Sequence, residues 1–424
     1  MSNENFGNTF TASKQPQWLK KIKKITKLIL KLIFYKIILR AVFNFYALFP
    51  IRDKLVVFAN YCFFNLPRNM EVIYRQCLED GYDCVIFLKW DNKKNKYKLI
   101  NMLAHTLKIV HFIKCYARCK ALFVDAYYPP LYVNKPRKGT RVVQLWHACG
   151  VFKKFGYSFE EKNGGPSAIR NKLFPMHYTY TDVMVSSPDV IPYYAEAFRC
   201  DPDIIKPLGV PRSDIFFDPV FIRTAARKLT KIFPEIGKRK IILYAPTYRG
   251  SGNHGKYIID IFDYTHLAEA IAGQYVLLTK YHPLTAKIIN RENEKKMPDA
   301  FVYDVTNILT IEEAMCAADV LISDYSSLIS EYSLLERPMI FFAYDLEQYN
   351  GGDRGFYFPY RDFVPGPIAE DMDSLIQAII NAELEINRQR IKVFRDKFMS
   401  ACDGHSARRI YQEIFGKDQW SVDK

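Results

Sequence analysis

Short apolar runs separated by amphipathic stretches recur along the chain from residue 53 onward. Val56-Val-Phe58, Cys84-Val-Ile-Phe-Leu88, Ala121-Leu-Phe-Val-Asp125, Arg141-Val-Val-Gln-Leu145 and Val183-Met-Val-Ser-Ser187 have the length and near-continuous apolarity of strands buried on both faces. Between them, Met70 to Gly81, Lys98 to Arg118 and Val190 to Phe198 place apolar residues at three- and four-residue steps, as a helix with one buried face requires. The alternation resumes after a predicted helix, Ile222 to Phe233, which Pro234 stops. Its strands are Ile241-Ile-Leu-Tyr244, Tyr275-Val-Leu-Leu-Thr279, Phe301-Val-Tyr303, Val320-Leu-Ile322 and Met339-Ile-Phe-Phe342, and Gly404 to Phe415 reads as a closing helix. This order predicts an α/β protein with largely parallel sheets. At 424 residues the chain is long for one domain. The pattern therefore predicts two doubly wound Rossmann-type domains, 51–220 and 221–424, facing a cleft where ligands meet the carboxyl ends of strands.

The segment ahead of these domains has a different composition. Residues 1–13 are polar and predicted to be a disordered tail. Within 14–50, Lys20, Lys21, Lys23, Lys24, Lys27, Lys31, Lys36 and Arg40 alternate with Leu19, Ile22, Ile25, Leu28, Ile29, Leu32, Ile33, Ile37 and Ile38, with no acid among them. That spacing predicts a basic amphipathic helix lying in an anionic membrane surface; packing on the protein's own core is the alternative. A membrane span needs about 20 uncharged residues, which no run here approaches, and no cleavable signal peptide is visible.

A net charge of +15 calls for an acidic partner: nucleic acid, anionic lipid or a polyanionic substrate. Because the cations concentrate in the amphipathic segment and no nucleic-acid module is present, a nucleic-acid partner is not expected. The nine cysteines are scattered without a paired zinc pattern, as suits reduced thiols in the cytosol. The expected location is the cytoplasmic face of the membrane, as a peripheral protein.

Candidate chemistry centres on Asp319 to Asp345. Val320 to Ile322 stops abruptly at Ser323-Asp324, Tyr325 to Leu335 carries apolar residues at helical spacing, and Pro338 opens another buried strand. Such a strand-turn-helix-strand unit directs N–H groups, with Ser326 and Ser327 as added donors, toward an anion. Glu331 follows one turn after Ser327, where a carboxylate can accept sugar hydroxyls. Capping of the helix by Ser323, Asp324 and Ser326 explains the same residues without a ligand, and the segment alone does not choose. In the first domain, His147 lies just past a predicted strand and faces the expected cleft, with Lys153 and Lys154 following between Gly150 and Gly156. Its near-neutral pKa suits a general base acting on a hydroxyl. In the second domain, Thr247 and Arg249 end one strand and His282 ends another. His105, His111, His177, His254, His266 and His405 are read as structural.

Ser323-Asp-Tyr-Ser-Ser327, Arg337-Pro-Met-Ile-Phe-Phe-Ala-Tyr-Asp345 and Arg354-Gly-Phe-Tyr-Phe358 together resemble the CDP-glycerol glycerophosphotransferase family, the teichoic-acid polymerases, primases and their ribitol-using relatives. Trp146-His147-Ala148 resembles the family's Trp-His-Gly signature, Ala245-Pro-Thr-Tyr-Arg249 its Ala-Pro-Thr-Trp/Tyr-Arg, and Lys280-Tyr-His-Pro283 its Arg/Lys-x-His-Pro/Tyr. Ala148 stands where the family usually has glycine, which leaves the donor's alditol open rather than the reaction. The resemblance spans about residues 140–415 and implies a GT-B fold. It also implies a reaction: a hydroxyl of a polyprenyl-diphosphate-linked, polyanionic acceptor attacks the β-phosphorus of CDP-glycerol or CDP-ribitol and expels CMP. The implied roles are His147 as base, His282 at the departing CMP, and Thr247, Arg249, Ser326 and Ser327 on the diphosphate. Glu331 would take the ribose, and Ser323, Asp324, Arg354, Lys153 and Lys154 complete the substrate-binding set. No metal or other cofactor is expected, since no aspartate pair stands at metal-binding spacing. A sugar-nucleotide glycosyltransferase on the same scaffold is the other enzyme reading.

Overall fold

The computed structural model describes residues 17–91, 97–159, 168–247, 249, 262–281, 298–352, 355–383, 385–416 and 420. Two six-stranded sheets organise them. The first contains β1 (Arg52–Ala59), β2 (Asp83–Phe87), β3 (Cys119–Val124), β4 (Arg141–Gln144), β5 (Asp182–Met184) and β6 (Ile205–Lys206), in the order β2-β1-β3-β4-β5-β6. The second contains β7 (Lys240–Tyr244), β8 (Tyr275–Thr279), β9 (Val302–Asp304), β10 (Val320–Ser323), β11 (Met339–Phe342) and β12 (Ile368–Ala369), in the order β12-β11-β10-β7-β8-β9. The named strands all pair in parallel. The strand order reverses once in each sheet, between β1 and β3 and between β7 and β10. Such reversal points open a crevice at the carboxyl ends of the strands, because successive crossovers leave in opposite directions. The two-residue strands β6 and β12 are too short to show periodicity and were not predicted.

Strand side chains alternate between two cores. In the first sheet Val56, Phe58, Ala121, Phe123, Val143 and Met184 fill the outer face. In the second, Ile242, Tyr244, Leu277, Val320, Ile322 and Phe342 do so. The residues between them, including Val57, Leu122, Val142, Leu243, Leu278 and Phe341, join one core that runs continuously from lobe to lobe. The alternation explains why the strands read as unbroken apolar runs: both faces are covered.

The Ser406–Phe415 helix departs from the predicted boundary. The expected second domain, 221–424, includes it, but Ala407, Ile410, Tyr411 and Ile414 pack on the outer face of the first sheet. Asp214 caps it by accepting the N–H groups of Ser406 and Ala407 at 3.0 and 2.8 Å, and the Tyr411 hydroxyl donates to Asp80 at 2.6 Å. The reason is shape: its apolar stripe closes a face that the Arg68–Glu79 helix covers only in part.

The N-terminal segment forms helices Gln17–Ile33 and Leu39–Ala47, joined by a π-turn at Phe34–Ile38. Leu39 and Phe43 are buried against the Lys98–Tyr116 helix, with the Phe43 and Tyr116 rings 5.1 Å apart. Upstream, Trp18, Ile22, Ile25 and Ile29 stay about half exposed. No helix among the described residues is long and apolar enough to cross a membrane. The predicted 1–13 tail lies outside the described residues.

Candidate active site

The predicted residues that are described lie at, or on the segments that follow, the carboxyl ends of β4, β7 and β10. On the first lobe, β4 ends at Gln144, whose side-chain oxygen accepts the Trp146 N–H at 2.9 Å. Trp146 adopts the left-handed conformation (φ 51°), rare for a bulky residue, and its carbonyl accepts the Asn69 amide. This held turn projects His147 to the surface beside the Trp146 ring, 4.4 Å between centroids. Nδ1 of His147 lies 3.0 Å from the carbonyl oxygen of Asp125, the first residue past β3. A carbonyl oxygen can only accept, so this bond places a ring proton on Nδ1, and in the neutral ring Nε2 is then the unprotonated nitrogen.

On the second lobe, Asp324 follows β10 and takes the Thr247 N–H at 2.9 Å, the Tyr325 N–H at 2.7 Å and Nη1 of Arg249 at 2.8 Å. Arg249 is buried and turned into the lobe. Nε and Nη2 form a forked pair with Asp345 at 2.6 and 2.9 Å, Nη1 also reaches the Thr247 carbonyl, and Nη2 reaches the Tyr344 hydroxyl. Burial opposes its charge, but the bonds to Asp345 and the charge of Asp324 hold its pKa above the ordinary value. The resemblance puts Arg249 on a diphosphate; here its five N–H groups all meet acceptors of the chain, and its direct effect is to fix the loops that carry Thr247 and Asp324.

Ser323 is buried and donates to the Ala245 carbonyl at 3.3 Å. Ser326 accepts the Leu328 N–H at 3.3 Å, so part of the capping alternative holds. Ser327 is exposed and makes no side-chain cap bond. The helix itself is shorter than the predicted Tyr325 to Leu335: it runs Leu328–Tyr332 and tightens to a 3₁₀ turn at Ser333–Leu335. The buried hydroxyl of Thr247 has no hydrogen-bond partner among the described residues.

The lobes meet directly at these loops. Arg212, past β6, donates Nη1 to the His147 carbonyl at 2.8 Å and Nε to the Glu331 carboxylate at 2.6 Å, with Nη2 on the same oxygen. Its own N–H is held by Asn69 at 3.1 Å. Glu331 is buried; desolvation raises its pKa and Arg212 pulls it back only in part. Gly150 comes so close to Ser330 that a Cβ there would lie 2.6 Å from its Oγ. Lys153 bonds the Tyr349 hydroxyl and lies over that ring, and the Lys154 N–H donates to the Gly355 carbonyl at 3.0 Å. His282 and Arg354 lie outside the described residues. His177, read as structural, is buried with its ring stacked on Phe198 at 4.5 Å, and burial pulls its pKa down to about 3.

Sequence reasoning missed Arg212, Asn69, Asn60, Asp125 and Asp345. Asp125 and Asp345 each close an apolar run, the feature that marked His147. Arg212 follows a two-residue strand and carried no such signal.

A sequence profile of the CDP-glycerol:poly(glycerophosphate) glycerophosphotransferases matches residues 41–416. The chain belongs to this family of alditol-phosphate transferases. The transferase is 39% identical to the teichoic acid ribitol-phosphate primase of Bacillus spizizenii, over 86% of this chain and 91% of that protein. To the teichoic acid poly(ribitol-phosphate) polymerase of the same organism it is 35% identical, over 90% of this chain and 59% of the relative. Its identity to the teichoic acid glycerol-phosphate primase of Bacillus subtilis is 30%, over 73% and 76%. The structure of the wall teichoic acid polymerase TagF superposes with a TM-score of 0.70 at 22% identity, covering 94% of this chain and 98% of that one. The two-lobed GT-B-like fold is thus shared.

Proposed function

We propose that the enzyme transfers ribitol phosphate from CDP-ribitol to a terminal hydroxyl of a lipid-linked, polyanionic acceptor in teichoic acid synthesis. The ribitol reading is supported by the higher identity to ribitol-phosphate relatives, 34–39%, than to glycerol-phosphate ones, 28–32%. The observation that carries the reaction is Arg212, which grips the His147 carbonyl and Glu331 at once and so brings the two strand-end loops to one place.

In this reading His147 Nε2 accepts the proton of the acceptor hydroxyl as its oxygen attacks the β-phosphorus. The bond from that phosphorus to the bridging oxygen breaks, and CMP leaves with the electron pair. Alignment and charge neutralisation supply most of the acceleration in such transfers. The β7 and β10 ends hold the donor: Thr247, Ser326 and Ser327 face the diphosphate, joined by His282 and Arg354. Arg249, Asp324 and Ser323 hold those loops in shape, and Lys153 and Lys154 meet the acceptor's phosphates. Glu331, paired with Arg212, couples the lobes rather than reaching the ribose. No resident metal or cofactor enters. The half-exposed apolar residues of Gln17–Ile33, interleaved with lysines, lie on the anionic cytoplasmic membrane surface where the acceptor is anchored.

Purified enzyme is incubated with a lipid-linked acceptor and CDP-ribitol, CDP-glycerol, UDP-sugars or GDP-sugars, and the released nucleotide is measured. CDP-ribitol is expected to give CMP, and His147→Ala to lower kcat by roughly 10²- to 10⁴-fold with the donor KM little changed. Release from CDP-glycerol alone overturns the alditol; release from a sugar nucleotide alone, or none at all, overturns the reaction.

A further inference from the structure

At the reversal point of the first sheet, two polar residues emerge side by side from β1 and β3. Asn60 and Asp125 are both buried. The Asn60 side-chain oxygen accepts the N–H groups of Cys62 at 2.6 Å and Phe63 at 2.8 Å, closing a tight turn. Those two donors fix the orientation of the amide, so its NH₂ faces Asp125 and donates to Oδ1. Burial pushes the Asp125 carboxyl up to about 6, while the Asn60 amide and the charge of Arg212 oppose that rise. A buried carboxylate is kept here at a cost, and the carbonyl of the same residue receives the ring of His147.

We propose that Asn60 and Asp125 are positioning residues: anchored to each other at the strand ends, they hold the 125 carbonyl where it receives the His147 Nδ1–H, and so select the tautomer whose Nε2 can accept a proton. Neither residue touches the reacting atoms. The inference rests on His147 being the base, since a fixed tautomer matters only to a ring that must take a proton at one nitrogen. Arg212 completes the arrangement from the other side by holding the His147 backbone carbonyl. The ring is thus set by one lobe's strand-end pair, and its backbone by the arginine that reaches the other lobe.

The test uses the full-length enzyme with ¹⁵N-labelled histidine. The His147 signals, assigned by their loss in His147→Gln, are expected to show a protonated Nδ1 and an unprotonated Nε2. Asn60→Asp keeps the oxygen that accepts the Cys62 and Phe63 N–H groups but sets a carboxyl against a carboxyl. It should mix the tautomers and lower kcat about 10- to 100-fold, less than complete loss of a general base, with the donor KM unchanged. The exchanged pair, Asn60→Asp with Asp125→Asn, restores one donor facing one acceptor. It should recover the wild-type tautomer and bring kcat to within about 3-fold of wild type, a rescue that a generally loosened fold would not show. A wild-type ring protonated on Nε2, or a tautomer indifferent to Asn60→Asp, overturns the proposal. A tautomer that shifts while turnover does not would leave the pairing intact and instead remove His147 as base.

Discussion

Replacing Arg212 by alanine strands a carboxylate in the interface between the lobes. Glu331 has 1% of its side chain exposed, and the charge that neutralises it is Arg212, itself 21% exposed. Removing one partner of such a pair costs about 3–5 kcal/mol, mostly from the buried charge left behind; the partly wet arginine puts this case near the lower end. An unfolding entropy of about 2.1 cal/mol/K per residue gives about 0.9 kcal/mol/K for 424 residues. If the lobes unfold together, Arg212→Ala should therefore lower Tm by roughly 3–6 °C. The pH dependence has a definite sign. Glu331 already has a raised pKa in the folded state, and losing Arg212 raises it further, so the penalty is full above that pKa and fades as pH falls toward the unfolded value of about 4.5. The assay is thermal unfolding at pH 8, 6.5 and 5 of wild type, Arg212→Ala, Glu331→Gln and the double variant. The double variant should melt higher than Arg212→Ala at pH 8, because a buried amide costs less than a buried charge. Equal melting of the two, or a Tm deficit that does not shrink in acid, would refute the reasoning.

Three other outcomes follow from the same physics. Asp125→Asn should stabilise the fold at pH 8 by about 1–3 kcal/mol and lose that advantage near pH 4, because a carboxyl raised to about 6 destabilises only when ionised; urea unfolding at the two pH values measures it. Gly156→Ala places a Cβ 2.2 Å from the Ala197 carbonyl oxygen at a φ of 55°. It should cost more than about 2 kcal/mol and, by moving the Lys153–Lys154 loop, raise the acceptor KM more than the donor KM in steady-state kinetics. Deleting residues 1–33 should leave Tm within about 1 °C, since the apolar side chains of 18–33 are largely uncovered, yet abolish flotation with vesicles containing anionic lipid.

The fold was legible because burial on both faces leaves long apolar runs, and each site loop begins where such a run ends. Leu145 and Ile322 close the apolar runs that precede Trp146-His147 and Ser323-Asp324, so position along the strand alone pointed to both lobes. A signal at Thr310-Ile-Glu-Glu313 was available and unused: threonine and glutamate at that spacing form the capping box seen at the start of the Ile311–Ala317 helix. Arg249 shows the limit. Its place past β7 marked it as a site residue, but whether a guanidinium faces the cleft or the lobe depends on Asp324 and Asp345, 75 and 96 residues away. Periodicity likewise finds the stripe on Ser406–Phe415 without saying which sheet it covers.

That stripe has a consequence for how the polypeptide matures. The first lobe is begun by β1 yet finished by Ile410 and Tyr411, so the whole second lobe is synthesised as an insertion while Val56, Phe58 and Phe123 still lack their lid. During translation the amino-terminal half waits, sticky and unfinished, until the 406–415 segment clears the ribosome, whereas the intervening lobe can close as soon as its own strands are made. Two polypeptide crossings then join the halves, and severing either one alone leaves them tethered.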